Sequence, residues 1–348
     1  MTRPVNARYQ DPLDAVWMGA AARLGLRIER SSMAYATTDG RGTLHVAPPA
    51  ELDQDDCLAQ IVFHEICHAL VEGPDSFHLP DWGLANDLDG TGSQQDTVRE
   101  HACLRVQATL GRRYGLRKLL APTTEFRSYY DALPVNPMDG PPDDPSIHLA
   151  RKALGRAVRA PFAGVLHEAL ARTAYIHRVA SAAAPAPSGT ELPTLWQVAP
   201  PPPLHPTGHP LSEESGVTCR SCAWSFPDGA ASRCRRTRTG KRAARIDLDW
   251  PACVLYEPAL DCHQCAACCR DAYDLVPVGR RERAARLPVV ESAGTQLRLR
   301  RMPQGWCAAL AGPPYTCTIY PDRPRACRDF PVGGEACLEA RRRVGLTV

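Results

Sequence analysis

The chain has 348 residues, 44% apolar and 23% charged, a composition that excludes wholesale disorder and predicts two or three globular domains. No apolar run approaches the ~18 residues of a membrane span, and the first residues lack a secretory apolar stretch, so a soluble cytoplasmic protein with no membrane partner is expected. The net charge of +3 hides an asymmetry: residues 1–218 carry 19 Lys and Arg against 25 Asp and Glu, and the rest carry 22 against 13.

Leu13, Val16, Trp17, Ala20 and Leu24 recur at helical spacing and predict a first helix over 11–26. Two strand-like stretches, 27–35 and 42–47, follow, separated by the turn signal Asp39-Gly40. The next helix spans 55–72, opening on Asp55 and Asp56 and stopping at Gly73-Pro74. A Gly-, Pro- and Asp-rich loop covers 73–93, and a further helix runs from 93 to 110 and on to 120, with Pro122 beyond it. A proline-rich connector, 131–145, leads into an Ala-, Leu- and Arg-rich helical stretch, 146–183. Residues 184–210 are too rich in proline to pack a core and read as a semi-extended linker.

The 15 cysteines divide unevenly, with Cys57, Cys67 and Cys103 in the first part and twelve from Cys219 onward. Reduced cytosolic thiols argue against a disulfide framework, so the twelve read as metal ligands and the first three as buried inert thiols.

His64-Glu65-Ile66-Cys67-His68 is an HExxH motif inside a predicted helix. Residues four apart share a helical face, so His64 and His68 can hold one Zn²⁺, and Glu65 can take the proton of a metal-activated water. The uncharged neighbours Ile61, Val62, Phe63, Ile66, Ala69 and Leu70 suit a buried helix that presents only these groups. The metzincin continuation is excluded because Val71 and Pro74 stand where its glycine and third histidine would fall. Glu100, on the next predicted helix, is the preferred third metal ligand. His78, His101 or an aspartate are the alternatives, and His101 could instead stabilise an oxyanion. This order of elements resembles the minimal zincin fold of gluzincin-type metallopeptidases, and the stretch around Glu100 looks like its ImmA/IrrE-type variant. The resemblance covers about residues 10–120 and implies zinc-dependent hydrolysis of a protein or peptide substrate.

In the second half, Cys262, Cys265, Cys268 and Cys269 form a CxxCxxCC motif, followed by Cys307, Cys317, Cys327 and Cys337. With the Ile-Tyr and Arg-Pro between Cys317 and Cys327, this pattern resembles the YkgJ-type cysteine-cluster family over about residues 258–340. That resemblance implies bound zinc or an iron–sulfur cluster. The flagellin lysine-N-methylase group has a similar cysteine arrangement, which makes a link to protein modification conceivable. The adjacent side chains of Cys268 and Cys269 diverge and rarely complete one tetrahedron together, so eight thiolates suffice for two Cys₄ sites or a cluster. All-thiolate ligation suits zinc and iron equally. Upstream, Cys219, Cys222, Cys234 and Cys253 are expected to hold a separate structural zinc. The basic residues from Arg233 to Arg245 and from Arg280 to Arg286 read better as a solvated face than as a nucleic-acid surface, since stacking aromatics are few.

The expected fold is α+β. A small, mostly helical zincin-like domain with a short sheet (1–130) is followed by a helical extension (131–183) and a linker (184–216). A Cys₄ submodule (217–257) and a loop-rich cysteine-cluster domain (258–348) complete the chain. The expected function is a zinc metallohydrolase, favoured as a peptidase, joined to a cysteine-cluster module. The other reading is a non-hydrolytic protein of redox chemistry, protein modification or metal handling, whose HExxH domain only binds metal.

Overall fold

The structure, a computed structural model, describes residues 7, 9–84, 93–184, 192–201, 203–212, 214–239, 242–271, 275–312, 314–344 and 346. Part of the expected 73–93 loop (85–92) and part of the expected linker (185–191) lie outside the described residues. The chain is α+β, as its patterning predicts, and divides into two compact units: residues 1–139 with 145–210, and residues 140–144 with 211–348.

In the first unit, helix α1 (Pro12–Arg23) starts where the Asp11 carboxylate accepts the Leu13 N–H at 2.8 Å. Three short strands follow, β1 (Arg27–Arg30), β2 (Ala36–Thr38) and β3 (Thr43–Val46). The stretch expected as one strand over 27–35 ends at Arg30, and β2 forms beyond it. The central strand is β3, parallel to β1 and antiparallel to β2. The predicted turn at Asp39-Gly40 is present: the Asp39 carboxylate accepts the N–H groups of Arg41 and Thr43, at 2.7 and 2.8 Å.

Helix α2 (Leu58–Glu72) carries the HExxH motif and begins later than Asp55 because Cys57 and Gln60 form its capping box. It stops at Gly73, whose φ of 83° favours glycine. A Cβ there would also lie 2.7 Å from the guanidinium of Arg156, which donates to the last carbonyls of the helix, Leu70 and Val71. Helix α3 (Gln94–Arg112) follows Ser93, which caps it together with Asp96. It ends short of the predicted 120, and the chain turns at Gly115 (φ 70°). A short α4 (Arg127–Ala132) is followed by α5 (Pro145–Ala157) and α6 (Phe162–Ala183). The helical stretch expected over 146–183 is made of these two helices, broken where Pro161 cannot donate to a continuous ladder.

Helix α2 packs against α1, α3 and α5, and α1 also packs against α6. Residues 192–210, expected as linker, lie in the first unit. There His205 and His209 are buried and the His209 ring is 5.1 Å from that of His167. At the core, the Trp17 ring is fully buried 4.9 Å from Phe63, and its indole N–H donates to Thr173 Oγ1 at 3.0 Å. Trp17→Ala is expected to cost about 3–5 kcal/mol, read as a fall in the urea midpoint, because the void cannot collapse among these helices.

In the second unit, antiparallel strands β4 (Ser225–Asp228), β5 (Ala231–Thr239) and β6 (Arg242–Ile246) form a sheet in that order. Short helices α7 (Cys262–Cys265) and α8 (Ala267–Asp271) are separated by Ala266, at φ 46°. Strands β7 (Pro277–Val278), β8 (Val290–Ala293) and β9 (Gln296–Leu299) form a second sheet around β9, and β10 (Leu310–Ala311) pairs with β11 (Thr316–Cys317). Helices α9 (Arg325–Arg328) and α10 (Glu335–Arg343) close the chain. Leu338 of α10 and Leu260 pack with Trp224, Cys219 and Cys234, one apolar cluster that draws on both the 217–257 and the 258–348 stretches. Among the described residues, no helix is long and apolar enough to cross a membrane.

Candidate metal centres

The first candidate centre is built by α2 and α3. One turn of α2 separates His64 from His68, and their Nε2 atoms lie 3.1 Å apart. Glu100, in the second turn of α3, meets both: Oε1 is 3.6 Å from His64 Nε2 and Oε2 is 3.1 Å from His68 Nε2. Gln107 is one residue that sequence reasoning missed. Its amide N–H₂ donates to the Leu120 carbonyl at 2.8 Å, which leaves Oε1 to accept from His64 Nδ1, also at 2.8 Å. That arrangement places the His64 proton on Nδ1 and leaves the Nε2 lone pair facing Glu100. Its only advance signal was a glutamine two turns after Glu100 on the same predicted helix.

Electrostatics couple these groups. Burial alone would lower His68, but Glu100 outweighs it and raises the imidazole to about 9. Burial would raise Glu100, but His68 and then His64 hold its carboxyl at about 2. Glu100 Oε1 and His68 Nδ1 are buried without hydrogen-bond partners among the described residues. An orphaned carboxylate oxygen beside two imidazole nitrogens is a donor set that fits a divalent cation.

Cys103 also approaches His64, its sulfur 3.7 Å from Nδ1. That nitrogen is engaged by Gln107, and burial followed by Cys67 pushes the Cys103 thiol well up, so Glu100 is the better third donor. His78 is exposed on its loop, and His101 stacks on Tyr129 with ring centroids 3.6 Å apart.

Glu65 is buried and accepts the Trp82 indole N–H at 3.1 Å. Trp82 sits in a turn in which Asp81, Trp82 and Gly83 all have positive φ (49°, 57° and 75°). Asp81 holds this turn against β2 by accepting from the Thr37 hydroxyl and from Thr38 N–H, the latter at 3.2 Å. Arg99 holds its other end through the Trp82 and Gly83 carbonyls while pairing with Glu72. Left-handed residues other than glycine persist only where such contacts over-determine them. The sequence contained no signal for Trp82.

None of the fifteen cysteines is in a disulfide, and their mutual electrostatic influence sorts the twelve of the second unit into three sets of four, the tetrads. Burial and then Cys253, Cys234 and Cys222 push Cys219 up to about 12, as expected of four sulfurs brought together. The short 3₁₀ turn at Cys219–Ser221 presents the first pair, β5 supplies Cys234, and Cys253 is bridged to Leu211. The second tetrad joins Cys262 and Cys265 of α7, Cys268 of α8 and Cys337 of α10. Cys268 donates to Cys337 and thereby lowers it, while Cys265 and Cys262 also feel Cys337. The third tetrad joins Cys269, Cys307, Cys317 and Cys327: burial and then the other three push Cys269 up to about 12. The Cys307 N–H donates to the Cys269 carbonyl at 2.7 Å, and Cys317 pairs with Leu310, whose N–H reaches the Cys307 carbonyl at 2.9 Å.

Adjacent Cys268 and Cys269 have different neighbours: Cys268 donates to Cys337, and Cys269 feels Cys307, Cys317 and Cys327. All eight cysteines of the second and third tetrads line one cavity of about 350 Å³. Four thiols in each set have the donor chemistry of zinc and iron–sulfur sites.

Residues 261–343 match the family model “CxxCxxCC: Putative zinc- or iron-chelating domain”. The match begins one residue before Cys262 and ends with α10, so it covers the second and third tetrads and leaves out the Cys219 tetrad and the first unit. Within the second unit, residues 261–343 are therefore similar to this family's domain. No curated protein and no solved structure matches the chain.

Proposed function

We propose that the chain is a zinc-dependent hydrolase, acting on a protein or peptide, whose second unit is a metal-chelating cysteine module. The observation that carries the reading is the convergence of His64 Nε2, His68 Nε2 and both Glu100 oxygens on one spot, beside the buried Glu65. His64, His68 and Glu100 would hold zinc, which supplies Lewis acidity toward a carbonyl oxygen and makes water more acidic. Glu65 takes a proton from water as its oxygen bonds to the carbonyl carbon. The C–N bond then breaks, and Glu65 returns the proton to the departing amine nitrogen. Trp82 orients Glu65 for this work through its indole N–H.

The competing reading is a non-hydrolytic metal-binding protein in redox chemistry, protein modification or metal handling. It is favoured by the family match, which falls wholly within the cysteine module. A nucleic-acid partner is less favoured, because two arginines of the basic half, Arg236 and Arg341, are buried. Fifteen free thiols suit a reducing cytoplasmic location.

Metal analysis of anaerobically purified protein, with its visible spectrum, tests the assignment. Glu100→Ala is expected to remove one zinc per chain, His78→Ala none, and iron–sulfur absorption would mark the cysteine module as a cluster site. If Glu100→Ala retains its zinc while His78→Ala loses it, the third ligand is the loop histidine and the proposed site is wrong.

A further inference from the structure

Four side chains beside the cysteines form a bracket in the second unit, three of them buried and Glu257 half-buried. Trp224 follows Cys222 by two residues, Arg236 follows Cys234 by two, Glu257 follows Cys253 by four, and Arg341 follows Cys337 by four. The two guanidiniums lie over the Trp224 ring, 5.0 and 5.2 Å from its centroid. Both donate to the same atom, Glu257 Oε1, Arg236 Nη1 from 3.5 Å and Arg341 Nη2 more closely. The Glu257 carbonyl accepts the Ala223 N–H at 2.8 Å, which ties the bracket to the Cys219–Cys222 knuckle, and Leu338 of α10 packs on Trp224.

The bracket does not balance its own charge. The arginine side chains are 1% and 8% exposed, yet two cations face one carboxylate. Arg236 Nε and Nη2 and Arg341 Nε have no hydrogen-bond partner among the described residues. Buried, unpaired cationic N–H groups cost several kcal/mol unless an anion lies close by. Besides Glu257, the neighbouring groups able to carry negative charge are the cysteine sulfurs. Trp224, which both guanidiniums cover, packs against Cys219, Cys222 and Cys234 of the first tetrad, and Arg341 lines one cavity with Cys262, Cys265, Cys268 and Cys337 of the second. Four thiolates around a divalent ion keep a net charge of about −2, the counter-charge these guanidiniums lack.

We infer that Arg236 and Arg341 are positioning residues for two metal–thiolate centres, Cys219/Cys222/Cys234/Cys253 and Cys262/Cys265/Cys268/Cys337, and that Glu257, shared between them, couples metal affinity at one centre to the arginine of the other. The inference rests on the reading of the tetrads as metal sites. Removing Arg341 leaves Glu257 less neutralised beside the first centre and draws Arg236 toward the carboxylate, away from sulfur. Both effects weaken metal binding at a tetrad that Arg341 does not directly serve.

The test uses the full chain loaded with ¹¹³Cd²⁺, whose resonances report each thiolate centre separately, assigned with Cys222→Ser, Cys265→Ser and Cys317→Ser. Chelator competition then reads affinity centre by centre. Arg341→Met is expected to shift the resonances of the Cys219 and Cys262 centres and weaken both by about tenfold, the lower end for outer-sphere partners of metal ligands. The Cys269 centre should stay unmoved, and Arg341→Lys, which keeps the charge, should recover most of the loss. An unchanged Cys219 centre in Arg341→Met overturns the coupling. Equal weakening of all three centres, or failure of lysine to rescue, shows that the bracket merely props the fold and overturns it as well. If wild-type protein binds no cadmium at either tetrad, the metal reading itself fails.

Discussion

Chelating metal from the full chain, under reducing and anaerobic conditions, is expected to unfold residues 211–348 while the first unit keeps its helices. The apolar clusters of the second unit are small and contain its cysteines. One surrounds Trp224 with Cys219 and Cys234, one surrounds Val278 and Leu299 with Cys307, and one surrounds Ala267 and Ala340 beside Cys265 and Cys268. A structural zinc contributes an apparent binding free energy of about 10–16 kcal/mol, as much as the whole stability of an ordinary domain at about 5–15 kcal/mol. Buried arginines that lose their anionic neighbours add to the penalty. The first unit needs no such help, because Trp17, Phe63, Ile66, Leu70 and Leu104 are fully buried in its helical core. Circular dichroism before and after chelation, with protease cuts mapped by mass spectrometry, reads the outcome. New cuts confined to 211–348 are expected; equal loss of both units, or no change in either, would count against metal as the folding energy of the second.

Much of the first unit was legible because its signals are local. The i, i+4 spacing of His64 and His68 places them on one face whatever surrounds the helix, and an apolar stripe betrays the buried α2. Glu100 was legible as the carboxylate of the next helix. Gln107 and Trp82 were not, because each acts through one tertiary hydrogen bond that periodicity does not encode. Pro161 marks the break in the 146–183 stretch, since its ring leaves no N–H for a continuous ladder.

In the second unit, the divergence of Cys268 and Cys269 was readable from adjacency alone. The assignment of Cys337 was not, since it passes over Cys307, Cys317 and Cys327 to join Cys262, Cys265 and Cys268. Only the packing of α10 on α8 brings it there. The basic residues misled most. Arg236 was read as part of a solvated face, but the irregularity of β5 between Cys234 and Arg238 buries it, and strand alternation does not encode such a shift.

Glu65→Gln is expected to leave zinc at the first centre and to lower peptide hydrolysis by about 10²–10⁴-fold, the range for loss of a general base. The amide has the shape of the carboxylate and can still accept the Trp82 indole N–H through its oxygen, so the turn at Asp81–Gly83 keeps its anchor. What it cannot do is take a proton from water. Glu65 is not among the three groups that converge, so metal content should match that of the wild type. Glu100→Ala gives the complementary result: it removes the oxygens beside both imidazoles, and zinc and hydrolysis fall together. Metal analysis paired with cleavage of a quenched-fluorescent peptide library separates the two variants. If wild-type protein with a full zinc complement cleaves no peptide, or if Glu65→Gln cleaves as fast as wild type, Glu65 is not the base of a peptidase. The convergent His64, His68 and Glu100 would then hold metal for the non-hydrolytic alternative.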